Sequence, residues 1–290
     1  MYLPYLTEAA INAFIDAALH EDVGEGDHSS MATVGADVVG KGRLLVKDEG
    51  ILAGVAMAEK IFHRLDPELH LALFKSDGEG VKKGELAFEV TGSAQSILTA
   101  ERVVLNCMQR MSGIATYTHR LVQMVKGTRA KLLDTRKTTP NFRLMEKWAV
   151  ALGGGHNHRF ALYDMIMLKD NHVDMAGNIG NAIQRANNYV QQLGKNLHIE
   201  VETRSMQEVR EVLLKGGIDV IMLDNFPLHE LREAVKLING RYKTEASGGI
   251  TEATLRAVAE TGVDYISVGA LTDSVKSLDL SLKSKPLKAA

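Results

Sequence analysis

Residues 132–172 read LLDTRKTTPNFRLMEKWAVALGGGHNHRFALYDMIMLKDNH. Two short apolar runs bracket this stretch, and each breaks into charge. Leu132-Leu133 runs into Asp134-Thr135-Arg136-Lys137, and the run 165–168 into Lys169-Asp170-Asn171-His172. The spacing between them predicts a helix over 143–152, followed by the flexible Gly153-Gly154-Gly155. This is one β-α unit. Four firm cations (Arg136, Lys137, Arg159, Lys169) and three histidines (His156, His158, His172) gather in it. That combination suggests a pocket for a small molecule carrying several negative charges.

The same rhythm continues toward the C-terminus. Apolar runs at 131–134, 165–168, 197–201, 220–223, 244–246 and 265–268 alternate with helical patterns at 143–152, 179–193, 206–215, 228–238 and 252–261. Repeated β-α units imply a parallel sheet, barrel or open. Six strands are countable, so a full eightfold barrel is not required. Every run ends in polar or glycine residues: Asp134 to Lys137, Lys169 to His172, Glu202-Thr203, Asp224-Asn225, Ser247-Gly248-Gly249 and Gly269-Ala270. In a β/α barrel such ends converge on the face that carries the active site.

The later ends have chemistry of their own. Glycines after late strands let backbone N–H groups approach a phosphate, which nominates Ser247, Gly248, Gly249 and Gly269. Glu200 and Glu202 project to one face because strand side chains alternate. Carboxylates near a phosphate, here Glu202 and Asp224, suit magnesium, which prefers oxygen ligands and keeps several waters. Glu200 lies deeper and is expected to form an ion pair with Lys137 or Lys169. The sequence 155–158, GHNH, hints at zinc but brings no third ligand at zinc spacing.

Toward the N-terminus, Thr7 can cap a helix whose apolar positions are Ile11, Phe14, Ile15, Ala18 and Leu19. The acidic EDVGEGDHSS that follows reads as a structural turn. Short β-like runs at 42–46, 69–74 and 86–90 surround one helical segment, 55–65, and predict a small antiparallel sheet with helices. Residues 93–124 read as helical with a break at Ser112-Gly113. Arg102 and Arg110 sit there among apolar residues, where arginines often snorkel over apolar surface. Leu278, Leu280 and Leu282 alternate, as in an edge strand returning to the N-terminal sheet, and Pro286 with the following lysine reads as a frayed tail. The domain boundaries expected are 1–112, 113–271 and 272–290.

The totals narrow the function. The chain has 290 residues, 45% hydrophobic and 24% charged, with net charge −2. No basic field points to nucleic acid. One cysteine, Cys107, rules out an intrachain disulfide and a Cys-rich zinc site. No apolar run is long enough to span a membrane, and MYLPYLTEAA lacks the basic start and apolar core of a signal peptide. A cytoplasmic location is expected.

DTRKTTP, GGGHNHR, MLKDNH, EVET, IMLDNF, EASGGI and ISVGAL, in this order, resemble the quinolinate phosphoribosyltransferase family. EDVGEGDHSS, ERVVLN and SGIAT extend the resemblance over essentially the whole chain. It implies an α/β architecture, an N-terminal α+β sandwich domain plus a β/α barrel with fewer than eight strands. The implied reaction joins quinolinate to phosphoribosyl pyrophosphate and yields nicotinate mononucleotide, pyrophosphate and carbon dioxide, with Mg2+. The implied assembly is a homodimer or homohexamer with a shared active site. Carried onto this sequence, Arg102 (from a neighbouring subunit), Arg136, His158, Arg159 and Lys169 would bind the quinolinate carboxylates, and Thr135 would be a further substrate-binding residue. Lys137 would lie between the substrates. Glu202 and Asp224 would hold the ribose hydroxyls and magnesium-pyrophosphate, and Ser247, Gly248, Gly249 and Gly269 the 5′-phosphate. Lys137, Glu202 and Asp224 are the catalytic set. Asn141-Phe142 and Phe160-Ala161 depart from the pairs common in that family. The competing classes are a related transferase acting on nicotinate, a Schiff-base lyase using Lys137 or Lys169, and a non-catalytic metabolite sensor.

Overall fold

Residues 3–287 are described in the structure, a computed structural model of the chain. In chain order the elements begin with α1 (Glu8–Val23), α2 (His28–Thr33), β1 (Val39–Val46), β2 (Gly50–Ile51), α3 (Val55–Leu65), β3 (His70–Leu73), β4 (Gly80–Val81), β5 (Leu86–Ser93) and α4 (Ala94–Met124). They continue with β6 (Lys131–Leu133), α5 (Arg143–Leu152), β7 (Ile166–Leu168), α6 (Asp170–Ala176), α7 (Ile179–Leu193), β8 (Ile199–Thr203) and α8 (Met206–Lys215). The last are β9 (Val220–Asp224), α9 (Leu228–Ile238), β10 (Lys243–Ser247), α10 (Glu252–Ala259), β11 (Tyr265–Ser267), α11 (Ala270–Asp273) and β12 (Leu280–Pro286). Contacts divide the chain into two units. One runs to His119, takes in Thr138–Gly154 and resumes at Ala270; the other is Arg120–Lys137 with Gly155–Gly269. The boundary expected between Ser112 and Gly113 falls inside α4.

The first unit is built on a four-stranded antiparallel sheet of order β12-β1-β5-β3. Alternation in β1 sends Leu44 and Val46 into the core and leaves Arg43 half exposed against Glu89. The alternating leucines near the C-terminus do form the edge strand, with Leu282 opposite Leu44. Pro286 is paired opposite Gly40 rather than frayed. An edge position tolerates proline because its missing N–H faces away from the ladder. The lysine beyond it, Lys288, lies outside the described residues. Thr7 caps α1 by accepting from Ala10 N–H at 3.1 Å. The acidic turn resolves into a cap as well: Asp27 accepts from Ser30 N–H at 3.1 Å and opens α2.

A second expectation fails in this unit. Ser112-Gly113 does not break the helix; α4 runs unbroken for 31 residues. The small residues are there for close approach. A Cβ on Gly113 would lie 2.3 Å from Lys276 O. Ser112 Oγ accepts from Ala53 N–H at 2.9 Å and donates to Ala53 O at 3.1 Å. Arg110 is structural, as its apolar setting suggests. It donates to the fully buried Glu146 at 2.9 Å and to the carbonyls of Val275 and Thr272. α5 therefore makes its strongest polar tie within this unit. Asn141 has φ 61°, a left-handed conformation that glycine takes most easily and asparagine tolerates. Phe142 meets Phe14 edge-on at 5.5 Å.

The second unit is a six-stranded parallel sheet of order β6-β11-β10-β9-β8-β7. Strands β7 and β9 read as nearly continuous apolar runs because a parallel sheet is covered on both faces, whereas β8 and β10 carry buried glutamates. β8 is buried at all five positions. The helices that follow present narrow apolar faces; in α7 these are Ile179, Ala182, Ile183 and Ala186. Asn178 and Ser205 cap α7 and α8. At the N-terminal end of the sheet Asp264 ties three strands together. It accepts from Thr244 N–H at 3.0 Å, from Thr244 Oγ1 at 2.9 Å, from Lys243 at 3.2 Å, and from Arg129. Burial alone would raise its pKa, but the bonds from Thr244, Arg129 and Lys243 outweigh that and hold it below the ordinary value. A carboxylate with a lowered pKa contributes stability above the ordinary carboxylate range and loses it as pH falls through the folded value. Asp264→Asn is expected to lower stability at neutral pH by about 1–3 kcal/mol. It should also flatten the acid limb of a chemical-denaturation series; a parent and variant that lose stability in parallel on acidification would contradict this.

Candidate functional site

The site is assembled from the C-terminal ends of the parallel strands, where the sequence concentrates its polar residues. The anchor is Asp134, fully buried just after β6. One oxygen accepts from His158 N–H at 2.8 Å and the other from Asn157 Nδ2 at 2.6 Å. His156 lies parallel to Leu133, donating to Leu132 O at 2.8 Å and accepting from Asp134 N–H at 3.1 Å. The GHNH segment is thus a short extension of the sheet beyond β6. This brings His158-Arg159 to the strand end that carries Arg136-Lys137. Thr135 Oγ1 accepts from Lys137 N–H at 3.0 Å and shapes the turn between them. Arg136 lies close enough to Arg159 to lower its pKa, after burial as the larger cause.

On the other side, Lys169 follows β7 and donates to Glu202 at 2.8 Å. His172 Nδ1 accepts from Lys169 N–H at 3.0 Å and closes the first turn of α6. Glu202 stands inside β8 with its carboxylate nearly buried, and Asp224 ends β9. Asp224 accepts from Asn225 Nδ2 at 2.7 Å. Asn225 is left-handed, φ 57°, and lies against the next turn: a Cβ on Gly248 would sit 2.3 Å from its Oδ1. Gly248 and Gly249 have φ of 88° and 59°, so glycine is required there twice over. The turn opens onto Thr251, which caps α10. Gly269 follows β11 in the same strand-end set. Arg102 lies in the other unit, exposed on α4, lining a cleft of about 340 Å³ with Asp22, Asp27, His28 and Thr99.

Glu200 pairs differently from the expectation. Its partner is His158, with Nε2 to Glu200 Oε2 at 2.9 Å and to Glu245 Oε2 at 3.4 Å. Lys169, which the sequence offered as a partner, takes Glu202 instead because both occupy the rim while Glu200 points inward. Burial opposes a charge on His158 while its hydrogen bonds to Glu200 and Glu245 favour one; the Arg159 N–H at Nδ1 decides between them, leaving that nitrogen unprotonated and the ring neutral with its proton on Nε2. Burial and the neighbouring Glu245 push Glu200 up to about 7. The shift on Glu200 favours keeping a proton inside the triad. Among the described residues Glu200 Oε1 and Glu245 Oε1 have no hydrogen-bond partner, a cost of roughly 1–3 kcal/mol for each such buried group. The sequence reading missed Asp134, Asn157, Glu245 and Asn225. Glu245 was visible only as a charge inside an apolar run, and Asn225 only as the residue beside Asp224.

Among the described residues the three groups close enough to hold a metal are His158, Glu200 and Glu245, within 4.8 Å of one another. The ring does not suit that role. Its Nδ1 accepts from Arg159 N–H at 2.7 Å, which puts the proton on Nε2, where a metal would need a lone pair. Glu202 and Asp224 suit magnesium better. They supply two oxygen donors on neighbouring strand ends, the number such an ion takes when substrate phosphates and water complete its shell.

Residues 27–112 match the N-terminal domain of quinolinate phosphoribosyl transferase, and residues 114–283 match its C-terminal domain. The chain belongs to the quinolinate phosphoribosyltransferase family. Quinolinate phosphoribosyltransferase [decarboxylating] 2b, mitochondrial, of Nicotiana tabacum is 48% identical over 281 residues, 92% of this chain and 80% of that protein. Nicotinate-nucleotide pyrophosphorylase [carboxylating], chloroplastic, of Arabidopsis thaliana is 47% identical over 288 residues, 94% of this chain and 82% of that one. The crystal structure of NadC from Streptococcus pyogenes superposes with a TM-score of 0.92 at 41% identity, covering 98% of this chain and 99% of that one. Within the C-terminal family domain fall all the strand-end residues described above, whereas Arg102 falls in the N-terminal one. The six-stranded sheet agrees with a barrel of fewer than eight strands.

Asp134→Ala tests the anchor. It leaves the His158 N–H and the Asn157 amide without their acceptor, at a cost of roughly 1–3 kcal/mol each. The variant is expected to melt lower and to lose affinity for anionic ligands, measured by thermal scans with and without ligand. A variant with parental melting and ligand response would show that Asp134 anchors nothing.

Proposed function

We propose that this chain transfers the phosphoribosyl group of phosphoribosyl pyrophosphate to quinolinate and releases pyrophosphate, carbon dioxide and nicotinate mononucleotide, a step of NAD biosynthesis. It is a pentosyltransferase of the nicotinate-nucleotide diphosphorylase (carboxylating) type. The observation that carries this is the ordered match of both family domains over residues 27–283, with relatives named for the reaction. The geometry supports it: the ends of β6 and β7 carry cations, the ends of β8 and β9 carry carboxylates, and the Lys169–Glu202 pair joins β7 to β8.

The roles follow from charge and reach. Arg102, Thr135, Arg136, Arg159 and Lys169 hold the two carboxylates of quinolinate, with His158 beside them. Two carboxylates fix the pyridine ring in two places and set its nitrogen in line with the ribose carbon. Lys137 lies between the substrates and offsets charge on the departing pyrophosphate. Glu202 and Asp224 hold the ribose hydroxyls and stabilise the cationic ribose carbon. Ser247, Gly248, Gly249 and Gly269 cradle the 5′-phosphate with backbone N–H groups. Glu202 and Asp224 would hold magnesium, through water or pyrophosphate, and the bound ion would supply positive charge for the leaving group. The C1–oxygen bond breaks with both electrons going to pyrophosphate, and the ring nitrogen forms the new bond to C1. The positively charged ring then draws the electron pair of the C2–carboxylate bond as carbon dioxide leaves, and a proton replaces it at C2.

A homodimer or homohexamer with a site shared between subunits belongs to the same proposal, because Arg102 lies exposed at a cleft of its own. So does a cytoplasmic location: the lone Cys107 is buried, its pKa raised to about 12 by burial, and needs no oxidising compartment. Among the described residues no helix is long and apolar enough to cross a membrane.

Product mass spectrometry decides the reaction. Quinolinate with phosphoribosyl pyrophosphate and magnesium should give nicotinate mononucleotide and carbon dioxide. Mononucleotide from nicotinate alone would favour the related transferase, a borohydride-trapped adduct the lyase, and quinolinate binding without turnover a sensor. Lys137→Ala and Glu202→Ala are each expected to lower kcat roughly 10²-fold or more with the fold intact. Mixing Arg102→Ala with Lys137→Ala subunits should restore part of the activity, since a hybrid keeps one complete shared site. No recovery after demonstrated subunit exchange would count against sharing.

A further inference from the structure

Glu200 and Glu245 stand where a β/α barrel ordinarily buries valine, isoleucine or leucine. They come from β8 and β10, alternate strands with β9 between them, and each is 1% exposed. Their carboxylates converge on Nε2 of His158, and one oxygen of each has no hydrogen-bond partner among the described residues. Well-packed apolar side chains would make a more stable interior than this triad. Packing therefore does not account for it.

The other end of the ring does. Nδ1 of His158 accepts the N–H of Arg159 at 2.7 Å, while Asp134 holds the His158 main chain at 2.8 Å. The ring is a strut between the sheet interior and the Arg159 backbone. Turning it would break the bond at Nδ1, the bonds at Nε2, or both. Arg159 needs such support. Its guanidinium is repelled by the neighbouring Arg136 and attracted by Glu200 and Asp164, and it donates to Met165 O at 3.4 Å. Asp164 is itself committed to the turn, accepting from Phe160 N–H at 2.6 Å and Ala161 N–H at 2.8 Å.

We infer that Glu200 and Glu245 are positioning residues for the dicarboxylate substrate: acting through the His158 ring, they fix where Arg159 meets it. The inference rests on the reading of the chain as a quinolinate phosphoribosyltransferase and extends it to two glutamates that touch no substrate. Neither a metal centre nor a structural core explains the same geometry. A metal would need the Nε2 lone pair, and a core would favour apolar groups.

The test uses the full chain and the isosteric variants Glu245→Gln and Glu200→Gln. Each leaves one carboxylate opposite His158, so the fold is not left with an unpaired buried charge. KM for quinolinate should rise about tenfold or more, while KM for phosphoribosyl pyrophosphate stays unchanged and the melting temperature is equal or higher. Imidazole 15N spectra should show His158 protonated at Nε2 alone in the parent and divided between tautomers in Glu245→Gln. Unchanged quinolinate KM would overturn the inference. So would a loss shared by both substrates with lowered melting, which is the signature of a structural role. A parent that forms no mononucleotide would sink the reaction assignment, whereas an active parent with indifferent variants would sink only this inference.

Discussion

The buried carboxylate of Asp134 is the constraint on which the site depends. A fully buried anion must be satisfied by donors, and Asp134 takes the His158 N–H and the Asn157 amide. Meeting that demand draws a segment more than twenty positions downstream against the end of β6. Two clusters of cations that are far apart in sequence then share one strand end. Without the carboxylate, Arg136-Lys137 and His158-Arg159 would be two unrelated basic turns.

Bringing cations together creates its own difficulty, since like charges at a half-buried rim repel. The second unit answers this with carboxylates at two depths. At the rim Glu202 takes Lys169. Below it Glu200, with Glu245, takes His158 and attracts Arg159. Strands β8 and β10 thus set carboxylates against the cations of β6 and β7, and the cations stay in place before a dianion arrives. The glycine turn after β10 belongs to the same economy of space. Asn225 fills the room that any side chain at 248 would need, so the backbone itself is presented at that strand end.

The first unit obeys a different constraint, close approach. Gly113 and Ser112 let α4 lie against residues 276–277 and Ala53, and Arg110 ties α4 to Glu146 of α5 and to the carbonyls of 272 and 275. The unit is therefore stitched from three separated parts of the chain, 3–119, 138–154 and 270–287, by one helix.

Periodicity and turn chemistry are local, and what they control was legible in the chain. The helices 143–152, 179–193, 206–215 and 228–238 have the bounds that apolar spacing and caps predict. The six parallel strands, the polar strand ends and the antiparallel N-terminal sheet follow from the same signals. The ordered motifs also carried the family. What the sequence could not supply was which charges meet. Ser112-Gly113 read as a break because small residues look alike whether they end a helix or admit a neighbour. Glu200 read as a partner for a lysine because its depth, and the arrival of His158 and Glu245 from other segments, are properties of the assembled sheet. Asp134 looked like one more polar strand end until its burial made it an anchor. Sequence determined the elements and the inventory of charge. Only the tertiary structure decided their pairing, because the strength of an ionic contact depends on distance and burial, and neither exists until the strands are side by side.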